Sequence, residues 1–208
     1  MQGQINLGTP RGETIKNICH YQSEVKTIVE IGTWNGRGST MCVLEGLRLR
    51  DNGEQCEFYT LEVNRARYEE AKEIDPHLPN VHFILGRITE VEDFITDNFP
   101  PHQPRLAEWL PISIEDHKAV DNVLHRLPSK IDFLILDGGE FSTKAELSLL
   151  YDRCNYVFLD DTIKLKNIYN RQRLIDSPEF KLLIDEPPDP RGIHNGWSLF
   201  KRIINNEL

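Results

Sequence analysis

The chain has 208 residues, 39% of them hydrophobic and 27% charged, and a net charge of −9. That is the size and balance of one folded domain, 1–208, with room for a real core. No apolar stretch approaches the ~18 residues of a membrane span, and the acidic balance argues against broad binding of a nucleic-acid backbone, which needs clustered Lys and Arg.

The four cysteines, Cys19, Cys42, Cys56 and Cys154, show no C-x-x-C spacing and read as small buried hydrophobes of a reducing compartment. Met1 to Pro10 has neither a basic nor an apolar signal region, so a cytoplasmic protein is expected. Thr9-Pro10 can open a helix over 10–20, with Thr9 as cap and Pro10 at its first position. Thr27–Ile31 is an apolar strand. It runs into Gly32-Thr33-Trp34-Asn35-Gly36-Arg37-Gly38-Ser39-Thr40, and a helix over 38–50 follows, with Met41, Leu44 and Leu47 at three-residue spacing. Strand, glycine-rich turn, helix is an arrangement that holds small ligands. Glycines let the backbone come close, and the helix N-terminus offers free N–H groups.

Glu57–Glu62 reads as the second strand, with a helix from Asn64, and Val81–Leu85 as the third. A helix bearing Val91, Phe94 and Ile95 is expected next. Residues 97–112, with Pro100-Pro101-His102-Gln103-Pro104 and Trp109-Leu110-Pro111, break the rhythm and are expected to be irregular, either a surface insertion or a lid on a substrate site. Ser113-x-x-Asp116 reads as a capping box, and the helix after it should present Val120, Val123, Leu124 and Leu127 on one face.

Ile131–Leu136 is the most apolar strand, as befits a central one covered on both faces. Thr143-x-x-Glu146 begins another helix, Tyr156–Leu159 is a fifth strand, and a basic helix spans about 164–175. Phe180–Ile184 and Gly196–Lys201, joined without a helix, suggest a closing antiparallel hairpin. The alternation predicts an α/β sheet.

Glu30-x-Gly32-x-x-x-Gly36-x-Gly38-Ser39-Thr40 fits neither a dinucleotide turn, whose third glycine would fall at Met41, nor a P-loop, which needs Gly-Lys. It resembles motif I of the class I S-adenosylmethionine (SAM) methyltransferases. The resemblance extends over residues 25–203 and implies a Rossmann-like, doubly wound, mostly parallel seven-stranded sheet in the order 3-2-1-4-5-7-6. It implies a SAM site made by Glu30, Gly32, Thr33, Gly36, Gly38 and Ser39, with Glu62 on the ribose hydroxyls and Ile88 beside the adenine. Arg87 stands where that family commonly has an acid.

Ligands of parallel α/β sheets bind beyond the carboxyl ends of the strands. Asp137 and Glu140 follow the fourth strand, and Asp160 and Asp161 follow the fifth. Asp137, Asp160 and Asp161 can converge on one hard cation, Mg²⁺ or Mn²⁺. This arrangement is similar to the metal-dependent small-molecule and sugar O-methyltransferases and to cephalosporin-hydroxylase-like proteins. The catechol branch has a lysine base where Glu140 stands here, so Asp137 and Glu140 become the catalytic candidates, with Glu140 a base, a ligand or an orienting acid. The histidines form no metal-type pair: His82 reads as packing, while His102 and His194 lie in loops that could flank the site. Lys164, Lys166, Arg171 and Arg173 read as a solvated helix face, or as recognition of an anionic substrate.

The resemblance thus implies SAM-dependent O-methylation of a small molecule, a sugar or natural product among the options, with a second copy of the chain as a further candidate partner. A non-catalytic SAM or nucleotide binder and a Rossmann-type oxidoreductase remain the alternatives.

Overall fold

The structure is a computed structural model and describes residues 5–97, 99 and 103–203. Its elements run α1 (Pro10–Tyr21), β1 (Thr27–Ile31), α2 (Ser39–Arg48), β2 (Glu57–Glu62), α3 (Arg65–Lys72), β3 (Val81–Leu85), α4 (Leu106–Lys118), β4 (Ile131–Leu136), α5 (Thr143–Leu150), β5 (Cys154–Asp160), α6 (Leu165–Asp176), β6 (Phe180–Glu186) and β7 (Trp197–Arg202).

The strands form one sheet in the order β3-β2-β1-β4-β5-β7-β6. Its first five strands are parallel, and β7 pairs antiparallel with both β5 and β6. This is the expected topology. β4 is buried at every position, because alternate residues face two different cores. Phe133 and Ile135 pack with α1 and α2, through Ile15, Ile18, Val43 and Leu44. Leu134 and Leu136 pack with Leu147 and Leu150 of α5 and Leu174 of α6. A two-residue period feeding two helical layers is what a doubly wound sheet requires.

The caps hold the elements where the sequence places them. Thr9 accepts from the Gly12 N–H at 3.2 Å, with Pro10 in the first turn of α1. Asn64 accepts from the Arg67 N–H at 3.1 Å and starts α3.

Three expectations between β3 and β4 are corrected. The helix over Val91, Phe94 and Ile95 is a single 3₁₀ turn, Val91–Asp93, after which Ile95 N–H leaves to bond Phe141 O. Of the segment expected to be irregular, residues 106–112 belong to α4, which begins at Leu106 and carries Pro111 inside it. The helix tolerates the proline because Ala107 and Pro111 are both exposed, so water can serve the carbonyl that the proline leaves free. His102, part of the expected lid, lies outside the described residues. Lastly, no helix carries Val120, Val123, Leu124 and Leu127. The backbone there bonds sideways instead, Arg87 N–H to Asp121 O and Val123 N–H to Arg87 O, and then makes a 3₁₀ turn at Leu124–Arg126.

Candidate active site

The turn after β1 lies against the turn after β4. Gly32 has φ +97°, and a Cβ there would lie 2.3 Å from Asp137 O. Gly36, φ +72°, has Ile74 Cδ1 where its Cβ would stand. Both positions are left-handed, which favours glycine; Gly32 lets the β1 end close on the β4 end, and Gly36 lets the turn close on the end of α3, beneath one cavity of about 620 Å³.

Glu62 ends β2 and lines this cavity. Its carboxylate accepts three backbone hydrogen bonds, from Trp34 (2.7 Å), Val63 (3.0 Å) and Asn64 (2.9 Å). Trp34 takes φ +54° to make its bond. Burial pushes the Glu62 carboxyl up to about 6, against the pull of those three N–H groups. A carboxylate fixed this way, at the strand next to the glycine turn, is placed to accept from paired hydroxyls.

Gly32, Thr33, Gly38, Ser39 and Ile88 line the same cavity. Glu30 and Gly36 are not among its lining residues. Glu30 is fully buried below the turn, where the Thr40 and Thr60 hydroxyls donate to its Oε2 at 2.7 and 2.5 Å. Its Oε1 has no partner among the described residues, and burial raises its carboxyl to about 7.

Three cavity-lining residues escaped the sequence reading. His117 of α4 donates from Nδ1 to Ser113 O at 2.9 Å, leaving Nε2 as a buried acceptor without a partner among the described residues. Ser142 Oγ and Glu146 Oε2 are likewise buried and unpartnered among the described residues. Burial lifts the Glu146 carboxyl to about 7. Unpaired buried polar atoms are costly, and a polar ligand in the cavity would satisfy them. No sequence signal marked His117, and Glu146 was legible only as the fourth residue of a helix start.

Asp137, Asp160 and Asp161 do come together, with oxygens from all three within 4.8 Å of one another. Asp161 adopts φ +56°, and Asn195 Nδ2 donates to its Oδ1 at 2.9 Å. The expected solvated basic face is corrected at Lys166, which is 7% exposed. Its ammonium lies 2.6 Å from Asp137 Oδ1 and 3.0 Å from Asp161 Oδ2. Arg11 of α1, unmarked in the sequence, reaches Asp160 Oδ1 at 3.0 Å, with both side chains 3% exposed. Burial, then the neighbouring Asp137 and Asp161, push the Asp160 carboxyl up to about 7. Burial would raise Asp161 too, but Lys166 and Asn195 hold it below the usual carboxylate range. Burial disfavours the Lys166 charge, yet the three acids hold that ammonium firmly protonated. The donor set suits Mg²⁺ or Mn²⁺ in kind. As arranged it does not fit one, because a protein cation already bridges the oxygens that an ion would need.

Glu140 accepts from the Lys166 backbone N–H at 3.0 Å and from Gln103 Nε2 at 3.3 Å, so it fastens the start of α6. It also lines a second cavity, of about 420 Å³, with Arg105, Trp109, Asp161, Lys164 and Asn195. His194 accepts the Gly196 N–H at Nδ1, and His82 pairs with Glu57 on β2 and stacks on Tyr59.

No protein-family model matches the chain, and no curated protein matches it. Solved structures do. A cofactor-bound protein from MTB is 15% identical, with 97% of this chain and 83% of that one covered and a TM-score of 0.62. An O-methyltransferase from Bacillus cereus in complex with SAH is 14% identical, covering 94% and 82%, at 0.56. The O-methyltransferase TomG from Streptomyces achromogenes, involved in tomaymycin synthesis and in complex with SAM, is 11% identical, covering 96% and 82%, at 0.57. At such identities the likeness is one of fold. The chain has the Rossmann-like, seven-stranded fold of these structures, two of them O-methyltransferases, with the closing β5-β7-β6 antiparallel arrangement.

Proposed function

We propose that the chain transfers a methyl group from SAM to an oxygen of a small-molecule acceptor. The observation that carries this reading is the Glu62 carboxylate, held by three backbone N–H groups at the rim of the large cavity. Asp137 and Lys166 line that same cavity two strands away, about 10 Å at the usual strand spacing. A nucleoside would lie with its ribose on Glu62 and its base toward Ile88 and His117. The reactive end would then fall beside Asp137.

When bound, the sulfonium supplies an electrophilic methyl group. The protein's part is to hold the acceptor oxygen in line with it and to keep water away. The second cavity is the proposed acceptor site. The Asp137–Lys166–Asp161 bridge runs between the two cavities, with Asp137 and Lys166 lining the first and Asp161 the second, and Trp109 and Asn195 bring α4 and the loop before β7 to the wall of the second. That gives the segment around 103–112 a fixed role as wall. Glu140 acts as an orienting acid through Lys166 and Gln103. The four free, buried cysteines support a reducing, cytoplasmic setting, and among the described residues no helix is long and apolar enough to cross a membrane.

Calorimetry with SAM, its demethylated product SAH and NAD tests the reading. SAM and SAH should bind and NAD should not. Binding of NAD in their place would favour the oxidoreductase alternative. SAM binding without SAH release across a panel of hydroxylated acceptors would favour a binder.

A further inference from the structure

Three carboxylates gathered at the ends of β4 and β5 need positive charge, and the chain supplies it from its own sequence. Lys166 sits in the first turn of α6, and that turn is anchored on all sides. Leu165 N–H donates to Gln103 Oε1 at 2.8 Å, and Lys166 N–H donates to Glu140 Oε2. Asn167 Nδ2 donates to Leu136 O at 3.0 Å and to Asp160 O at 2.7 Å, the last carbonyls of β4 and β5. The ammonium is therefore built into the cluster. Asp161 takes its left-handed conformation at the same point, with Asn195 holding one oxygen and Lys166 the other. Such backbone strain persists only where the surroundings enforce it.

A shared dication would sit at about 2.0–2.6 Å from the same carboxylate oxygens. Lys166 Nζ already bridges Asp137 Oδ1 and Asp161 Oδ2, and Arg11 engages Asp160 Oδ1. With two fixed cations already against three acids, at most one net negative charge is left for a divalent ion, and the ion would have to expel Lys166 from a site where it is 7% exposed.

We infer that the Lys166 ammonium takes the place of a divalent ion, so that the three acids bind no Mg²⁺ or Mn²⁺ and methyl transfer proceeds without one. The statement about transfer rests on the reading proposed above, whereas the statement about ion binding stands without it. An ammonium carries three N–H groups. Two are directed to Asp137 and Asp161. The third can donate to the acceptor oxygen and hold it where an ion would have held it. Lys166 is thus a positioning and charge-supplying group. Held protonated, it is not the base.

The test is Mn²⁺ binding to the full chain, by calorimetry and by the electron-spin signal of free Mn²⁺, for the parent and for Lys166→Met. The parent should show no saturable binding at about 1 mM, the weak end of oxygen-ligated sites, and its Tm should not respond to Mn²⁺ or EDTA. Lys166→Met frees two oxygens. It should bind Mn²⁺ at least about tenfold more tightly than the parent and gain thermal stability from it, the sign expected of a ligand that binds only the folded state. Saturable binding by the parent, or turnover that EDTA stops and Mn²⁺ restores, would overturn the inference. So would absence of binding in both proteins, since the acids would then form no cation site for Lys166 to fill. If Lys166→Met does not fold, the parent measurement decides alone. SAH binding in the same calorimeter separates the two readings. Its absence removes the methyl-transfer reading and leaves the Mn²⁺ result standing.

Discussion

The Trp34 N–H and the Glu62 carboxylate, 2.7 Å apart, tie the glycine turn after β1 to the end of β2. The acid thereby does two jobs: it braces a left-handed residue and it faces the cavity. Glu62→Gln keeps the size but turns one acceptor into a donor among three N–H groups. Charged hydrogen bonds are worth about 1.5–3 kcal/mol each, so SAH affinity should fall roughly 10- to 100-fold in calorimetry. Parent-like affinity would place the nucleoside elsewhere.

Buried acids, three glutamates among them, set the pH dependence of stability. The Glu30 and Glu146 carboxyls lie near 7 and that of Glu62 near 6, all raised first by burial from an ordinary 4.5. In that window the native state binds more protons than the unfolded chain, so these groups make stability fall as pH rises and recover it on acidification toward about 5. Scanning calorimetry should give a higher Tm near pH 6 than near pH 8. Glu30→Gln should reduce that difference and raise the Tm at the alkaline end. A Tm that climbs from about pH 6 to 8 would contradict the burial of these groups.

Gly32→Ala adds a methyl group 2.3 Å from Asp137 O at a left-handed backbone position. Overpacking and backbone strain together should cost about 3 kcal/mol, read by chemical denaturation. Gly8→Ala is a useful contrast. It has φ +83° but no atom within 4 Å of the added carbon, so only the backbone term applies.

Arg11→Met leaves Asp160 buried without its cation, a change of the kind that costs about 3–5 kcal/mol. Because Asp160 takes a proton near pH 7, the loss should shrink on acidification below that point. The double variant with Asp160→Asn should recover much of the stability at neutral pH. A single-variant loss that does not vary with pH would show that Arg11 acts through its packing.

Trp109→Ala tests the second cavity. Once an acceptor is in hand, its KM should rise severalfold with SAH affinity unchanged, because Trp109 lines only the smaller of these two cavities. An equal loss of SAH binding would mean that Trp109 serves the nucleoside side as well.

The sheet was readable because strand signals are local. Ile131–Leu136, an almost wholly apolar run, and Glu57–Glu62, rich in aromatic and β-branched residues between two acids, keep their bounds in the fold, and Thr9 and Asn64 cap where their side chains allow. Between β3 and β4 the local signals misled. The backbone at 121–123 pairs with Arg87, a contact across 34–36 positions that no periodicity encodes. Pro111 looked like a breaker, yet its turn faces water. In the site, acids at strand ends stood out, since topology alone places them. Their partners did not. Lys166 shares a basic stretch with Lys164, Arg171 and Arg173, and only the anchored first turn of α6 turns it inward, while Arg171 goes out to Asp185. Glu30 was legible as part of a motif, but its burial beneath the turn depends on Thr40 and Thr60, which arrive from two other elements.

The Arg11–Asp160 contact joins residues 149 apart in sequence. During synthesis α1 leaves the ribosome first, long before its carboxylate partner exists. Chains lengthen at about 5–20 residues per second, so α1 must wait on the order of ten seconds or more for β5 to follow. The cluster is therefore among the last features to close, and a chain halted before residue 160 carries no partial version of it. Ribosome-bound intermediates would hold the glycine turn and the Glu62 brace, but not the charge balance beside them.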